Sequence, residues 1–118
     1  MNEDAGPIFR QVAALIENAI VDGSLAEEAQ APSSNELSAF HRINPATAAK
    51  AFQQLTDEGY LYKRRGIGMF VSADAQKRLR EQRREHFFDD VVRPMVAEAR
   101  AIGIDLREII HHLNEQGR

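Results

Sequence analysis

Residues 44–71, NPATAAKAFQQLTDEGYLYKRRGIGMFV, constrain the fold of this chain more than any other stretch. Asn44 is a strong N-cap, and Pro45 suits the first helical position, where its missing N–H costs nothing. Ala48, Ala51, Phe52 and Leu55 recur at helical spacing, and Gly59 offers the left-handed stop that ends a helix near Glu58. Tyr60 to Lys63 and Met69 to Ser72, rich in aromatic and branched side chains, predict two short strands. Arg64, Arg65, Gly66, Ile67 and Gly68 join them in a basic, glycine-rich turn.

A second capped helix precedes this stretch. Ser33-Ser34-Asn35-Glu36 has the form of a capping box, so a short helix is expected from Ser33 to about Phe40, with Leu37 and Phe40 facing inward. His41 to Ile43 make the turn between the two helices. Further upstream, Ile8, Val12, Leu15, Ile16, Ala19 and Ile20 mark an amphipathic helix over 8–22, with Pro7 in its first turn and Gly23 as its stop. Residues 24–32 are read as a connecting loop. The sum is a helix-turn-helix followed by a wing.

After Ala73 the composition changes. Residues 75–84, AQKRLREQRR, are basic and helical in propensity. Lys77, Arg78, Arg80, Arg83 and Arg84 admit two readings: phosphate contacts, or an exposed face paired along the helix with Glu81 and Glu85. Phe87, Phe88, Val91, Val92, Met95, Val96, Ala99 and Ile102 continue an apolar stripe. Pro94, inside that stripe, predicts a kink or a break near Asp90. Gly103 ends the helix. Asp105-Leu106-Arg107-Glu108 caps a short last one, whose inner face carries Leu106, Ile109, Ile110 and Leu113. The expected fold is mainly α with a small β-hairpin: a winged helix-turn-helix over 7–73 and a two-helix dimerisation tail over 74–118. The stripe is wider than one hairpin buries alone, which implies a second copy packed through Phe88, Val91, Val92, Met95, Ile109 and Leu113.

Charge bears on the partner. The net charge is −3, a mild objection to nucleic acid. Residues 1–75 carry six Lys/Arg against ten Asp/Glu, so what matters is the face presented to phosphate. The acids Glu17, Asp22, Glu27 and Glu28 lie on other elements, expected away from that face. On the helix over 45–58, Ala46, Lys50, Gln53 and Asp57 point away from the apolar side, flanked by Thr47, Ala49 and Gln54. Small residues there let a helix approach base edges closely.

These stretches resemble the DNA-binding domain of the GntR family of bacterial transcription regulators. The matching segments are PIFRQVAALIENAIVDGSL, APSSNELS, NPATAAKAFQQLTDEGYL and RRGIGMFV. The short helical tail is similar to that of the family's YtrA-type subgroup, which implies dimerisation through the tail and regulation of neighbouring transporter genes. By position the resemblance carries over Thr47, Arg65 and Gly66 as DNA-binding residues. Asn35 stands where the family has arginine, Pro45 where a basic residue is common, and Ala49 where another arginine is usual. Pro45 and Ala49 are departures and are left out, so the candidate DNA-binding set is Ser33, Asn35, Asn44, Ala46, Thr47, Lys50, Arg64, Arg65 and Gly66.

The expected function is therefore sequence-specific binding of a palindromic DNA operator by a homodimeric repressor, with an unidentified small-molecule effector held in the tail as an added option. The competing reading is a winged helix that docks protein and not DNA. No nucleophile elbow, phosphate-binding glycine loop or His-Glu zinc motif is present, and Glu27-Glu28 and Asp89-Asp90 are adjacent pairs unsuited to convergent acid and base work. No enzyme activity and no cofactor are expected. There are no cysteines, and neighbouring His111 and His112 point about 100° apart on a helix, with His86 remote, so no metal site is expected. The acidic opening MNEDAGPIF lacks the regions of a secretion signal, and no apolar run approaches the roughly 18 residues of a membrane span, so a cytoplasmic protein is expected.

Overall fold

The computed structural model describes residues 7–117; the first six residues of the acidic opening lie outside them. Helix α1 spans Ile8–Asp22. Pro7 is its N-cap, and the proline carbonyl accepts from the N–H of Arg10 and Gln11. The helix buries Val12, Ala13, Ile16 and Ile20 and leaves Ile8 and Leu15 at the rim of the core. Helix α2, Ser34–His41, starts where Ser33 Oγ accepts the Glu36 N–H at 3.0 Å.

Leu37 is buried, but Phe40 is 81% exposed, against the inward direction expected for it. The inward arc of this two-turn helix runs from Leu37 toward Ser38, while Phe40 lies on the other side of Leu37. Ser38 is buried in its place, and its hydroxyl donates to the Ile43 carbonyl across the turn.

Helix α3, Pro45–Asp57, is capped by Asn44, whose Oδ1 accepts the Ala46 N–H at 2.8 Å. Ala48, Ala51, Phe52 and Leu55 are its buried face. Gly59 takes φ 81°, and two bonds close the helix: Gly59 N–H to Thr56 O at 3.0 Å and Tyr60 N–H to Leu55 O at 2.9 Å. This paired pattern needs a left-handed residue after the cap, which glycine supplies without a Cβ penalty.

Strands β1, Leu61–Arg64, and β2, Gly68–Val71, form an antiparallel hairpin with Tyr62 opposite Phe70 and Lys63 opposite Met69. Each is offset by one residue from its predicted span. The segment expected as a loop over 24–32 contributes to this sheet. Glu28 N–H bonds Val71 O at 2.8 Å, Val71 N–H bonds Ala29 O at 3.0 Å, and Ala31 N–H bonds Met69 O at 2.8 Å. It covers the outer edge of β2, which would otherwise present unpaired backbone groups.

Helix α4, Ala75–Phe87, sends Ala75 and Leu79 into the core with α1, α3 and the hairpin. Two of its arginines hold helix ends. Arg80 Nε and Nη2 donate to Val21 O in the last turn of α1, at 3.1 and 3.0 Å. Arg78 Nη2 and Nη1 donate to Glu58 O and Gly59 O at the end of α3, at 2.8 and 3.3 Å. Carbonyls that close a helix lack intrahelical donors and carry the negative end of its dipole, so a guanidinium suits both.

The chain divides into two compact units between Arg80 and Glu81. In the second, a π turn over Phe88–Val92 follows α4, then α5, Arg93–Ala101, and α6, Leu106–Gln116. The break expected at Pro94 takes this π form. Pro94 has no N–H for the Asp90 carbonyl, and the helix widens so that Arg93 N–H reaches back to Phe88 O. Asp105 caps α6 by accepting the Arg107 N–H at 2.8 Å. Ala99 is the one buried apolar residue of the described part of this unit. Phe88, Val91, Met95 and Leu113 are exposed, and Val92 and Ile109 half-buried. No described helix is long and apolar enough to cross a membrane.

Candidate nucleic-acid interface

A groove opens between the start of α2, the outer face of α3 and the hairpin. Gln30, Ser33, Ala49, Gln53, Lys63 and Gly68 are among its lining residues. Ala49 and Gln53 are one helical turn apart, so they share a face of α3. The two-residue alternation of the strands decides which hairpin side chains meet them. Leu61 and Val71 point into the core, so Lys63 and Met69 point toward α3 and line the groove. Tyr62, Arg64 and Phe70 take the opposite side.

That outer side is a closed cluster. The Tyr62 and Phe70 rings stack at 6.0 Å, and the Arg64 guanidinium lies 4.6 Å from the Phe70 centroid and 5.9 Å from that of Tyr62. The Tyr62 hydroxyl donates to the Glu28 carboxylate, and this hydrogen bond, with some desolvation, holds the phenol above its ordinary range. Glu28 therefore lies against the wing, not on a remote element. The Tyr60 phenol is also raised, chiefly by burial.

The candidate residues fall into separate places. Ser33 lines the groove, with its hydroxyl accepting at the start of α2, and Asn35 is exposed two residues further on. Asn44 and Ala46 are exposed and Thr47 half-buried at the start of α3. Arg65 and Gly66 form the exposed hairpin tip. Lys50 does not share the groove: its ammonium sits 4.2 Å from the centroid of the Phe9 ring, on the α1 flank of α3. A cation over an aromatic face gains about 0.5–1 kcal/mol at an exposed site, enough to bias a flexible lysine. Arg64 is drawn off by aromatic rings in the same way. Gln30, Ala49, Gln53 and Lys63, outside the candidate set, line the groove.

The hairpin is braced. Gln30 Nε2 donates to Ile67 O at 3.0 Å, and Gly68 adopts φ 140° beneath it. A Cβ on Gly68 would meet Gln30 Nε2 at 2.7 Å. Gly68→Ala is expected to displace Gln30, lose that bond and cost about 2 kcal/mol, since the backbone conformation is strained for any L side chain. Thermal melting checks this, and a midpoint equal to that of the parent would refute it.

Among the described residues, no group of three His, Asp or Glu is placed to hold a metal ion. His111 instead sits 3.2 Å from Glu115 along α6.

A slim helix beside a braced basic hairpin, preceded by a second capped helix, defines a winged helix-turn-helix DNA-binding protein. The chain belongs to the family described as "Bacterial regulatory proteins, gntR family", which its residues 9–71 match. It is thus a transcription regulator and not an enzyme. It is 25% identical over 109 residues to the "HTH-type transcriptional repressor YtrA" of Bacillus subtilis (strain 168), covering 92% of this chain and 83% of that protein. It is 32% identical over 77 residues to the HTH-type regulator YurK of the same organism, covering 65% of this chain but only 32% of YurK's length. Among solved structures, a GntR family transcriptional regulator from Listeria monocytogenes superposes with a TM-score of 0.72 at 27% identity, over 95% of this chain and 96% of that one. The AraR DNA-binding domain in complex with operator ORX1 superposes at 0.56 with 30% identity, over 61% and 87%.

Proposed function

We propose that this protein binds a palindromic operator as a homodimer and represses transcription in the cytoplasm. The observation that carries the reading is the open groove shared by α3 and the hairpin, lined by Lys63, Gln53 and Ala49 and, on its α2 side, by Glu36. The start of α3, with Asn44, Ala46 and Thr47, enters the major groove, where Ala and Thr methyls suit a thymine methyl and an amide suits adenine. Gln53 and Lys63 face the same duplex from the groove. Arg65 and Gly66 at the hairpin tip reach the adjacent backbone or minor groove, and Ser33 and Asn35 approach phosphate from α2. The uncovered apolar face of the tail supports a second copy, and two copies related by a two-fold axis require a two-fold operator. The operator complex of AraR and the repressor YtrA support binding and sign, respectively.

An apolar cleft between α5 and α6, lined by Met95, Ala99, Ile102, Ile109 and Leu113, supports a secondary reading in which a small effector tunes the dimer. Thermal shift against a metabolite panel tests it, and ligand-independent melting throughout removes it.

The test of DNA binding is fluorescence anisotropy with random-sequence duplex at two salt concentrations. Affinity should fall steeply with salt, by a slope of several units. A winged helix that docks only protein would give no signal. Arg65→Ala should weaken binding to every sequence by roughly 1 kcal/mol and flatten the slope by about one unit. An unaltered slope takes the hairpin tip off the DNA.

A further inference from the structure

Arg42 stands in the turn between α2 and α3 with φ 54° and ψ 47°. This is the left-handed region, which L side chains rarely adopt. Glu28 is the one other described non-glycine residue with positive φ. The turn is fixed on both sides. Arg42 N–H and Ile43 N–H both bond Ser38 O, and Ser38 Oγ bonds Ile43 O. Ile43 then packs on the core. Glycine would hold this turn with less strain, so the fold does not explain arginine here.

The charges around α3 suggest what does. Residues 1–75 hold six Lys/Arg, and all six are described. Arg10 and Lys50 lie over the Phe9 ring, and Arg64 over Phe70. Lys63 and Arg65 serve the hairpin side. The guanidinium of Arg42 is exposed and meets no carboxylate or ring among the described residues. The residues that open α3, Asn44, Pro45, Ala46 and Thr47, carry no charge at all. A helix lying in the major groove has a phosphate backbone on each side, and the chain leading into that helix runs over one of them.

We infer that Arg42 is a phosphate-binding residue that anchors the leading end of α3, on the backbone opposite the one met by the hairpin. The inference rests on the DNA-binding reading above. It makes the strained turn a trade of stability for affinity. Its guanidinium offers five donors in a planar fork suited to phosphate oxygens. Such a contact is sequence-independent and releases counterions.

The experiment compares the full-length chain with Arg42→Gly and Arg42→Lys, by anisotropy on random-sequence duplex across a salt series and by thermal melting. Arg42→Gly should bind every duplex roughly threefold or more weakly and lower the salt slope by about 0.9, while melting no lower than the parent. Arg42→Lys, which keeps the charge, should retain most of the slope. Two outcomes overturn the inference alone: an unchanged slope in Arg42→Gly while Arg65→Ala lowers it, or a melting point that falls together with affinity, which marks a structural role. Absence of any binding by the parent chain at low salt overturns both this inference and the DNA-binding reading.

Discussion

Phe88→Glu is expected to leave the chain monomeric and to weaken its hold on a two-half-site operator by roughly a hundredfold or more. Phe88 is 69% exposed within its own protomer, so the substitution removes little that the protomer needs. Val91 and Met95, three and seven residues further on, continue its apolar face at 51% and 41% exposure, and Leu113, which lines the α5–α6 cleft with Met95, is 54% exposed. A surface of this composition, on a helical unit with one buried apolar side chain among its described residues, favours association, because covering it removes apolar area from water. A carboxylate placed there must be desolvated without a partner, at an effective penalty of several kcal/mol. Loss of the dimer does not touch the winged helix, so binding to a single half-site should survive. Only the gain from engaging two half-sites at once disappears. Sedimentation at micromolar concentration reads the mass, and anisotropy on a sequence selected by the parent chain reads the affinity. Sedimentation of Phe88→Glu at the dimer mass would sink the proposed interface. Val92→Glu should act in the same direction, but Val92 is half-buried in its own protomer, so a failure to fold would give the same loss.

Most of the helical frame is legible in the sequence, because helix ends are local events. Ser33, Asn44 and Asp105 each hydrogen-bond a backbone N–H within three residues, and Gly59 and Gly103 reverse the chain where a Cβ would resist. What the sequence hides depends on distant partners. The hairpin pairing follows the expected register, with Leu61 opposite Val71, but each strand lies one residue nearer the turn, and residues 28–31, which carry no strand-like alternation, bond β2 from its other side. Phe40 is exposed because the inward arc of a short helix is set by the helix it crosses. The candidate site divides in the same way. Lys50 has the right angle on α3, but the nearby Phe9 ring draws its ammonium toward α1. Lys63 faces α3 and Arg64 does not, a distinction that two-residue alternation from buried Leu61 gives once the register is known. The π turn is the answer of this particular helix to Pro94, where periodicity alone permits a kink, a break or a widened turn.

The basic run over 75–84 remained open between DNA and an exposed helix face, and Arg78→Ala decides what one of its members does. The guanidinium donates to two carbonyls at the end of α3, at 2.8 and 3.3 Å, and covers the Tyr60 ring at 4.8 Å. Its side chain is 41% exposed, and its ion pair with Asp74 spans 3.9 Å between solvated groups. That ion pair contributes little. The charge-assisted bonds to helix-end carbonyls matter more, and after allowance for solvent they are worth about 2 kcal/mol together. Arg78→Ala should therefore lower the melting temperature by about 10 °C in a domain of this size. Arg78→Lys should recover only part of the loss, because a single ammonium cannot span both carbonyls and stack on the ring. The same guanidinium cannot serve phosphate while it holds these carbonyls. The salt slope of DNA binding in Arg78→Ala, measured below its melting transition, should then equal that of the parent. A melting point unchanged from the parent, paired with a slope lowered by about one unit, would move Arg78 from the end of α3 to the duplex.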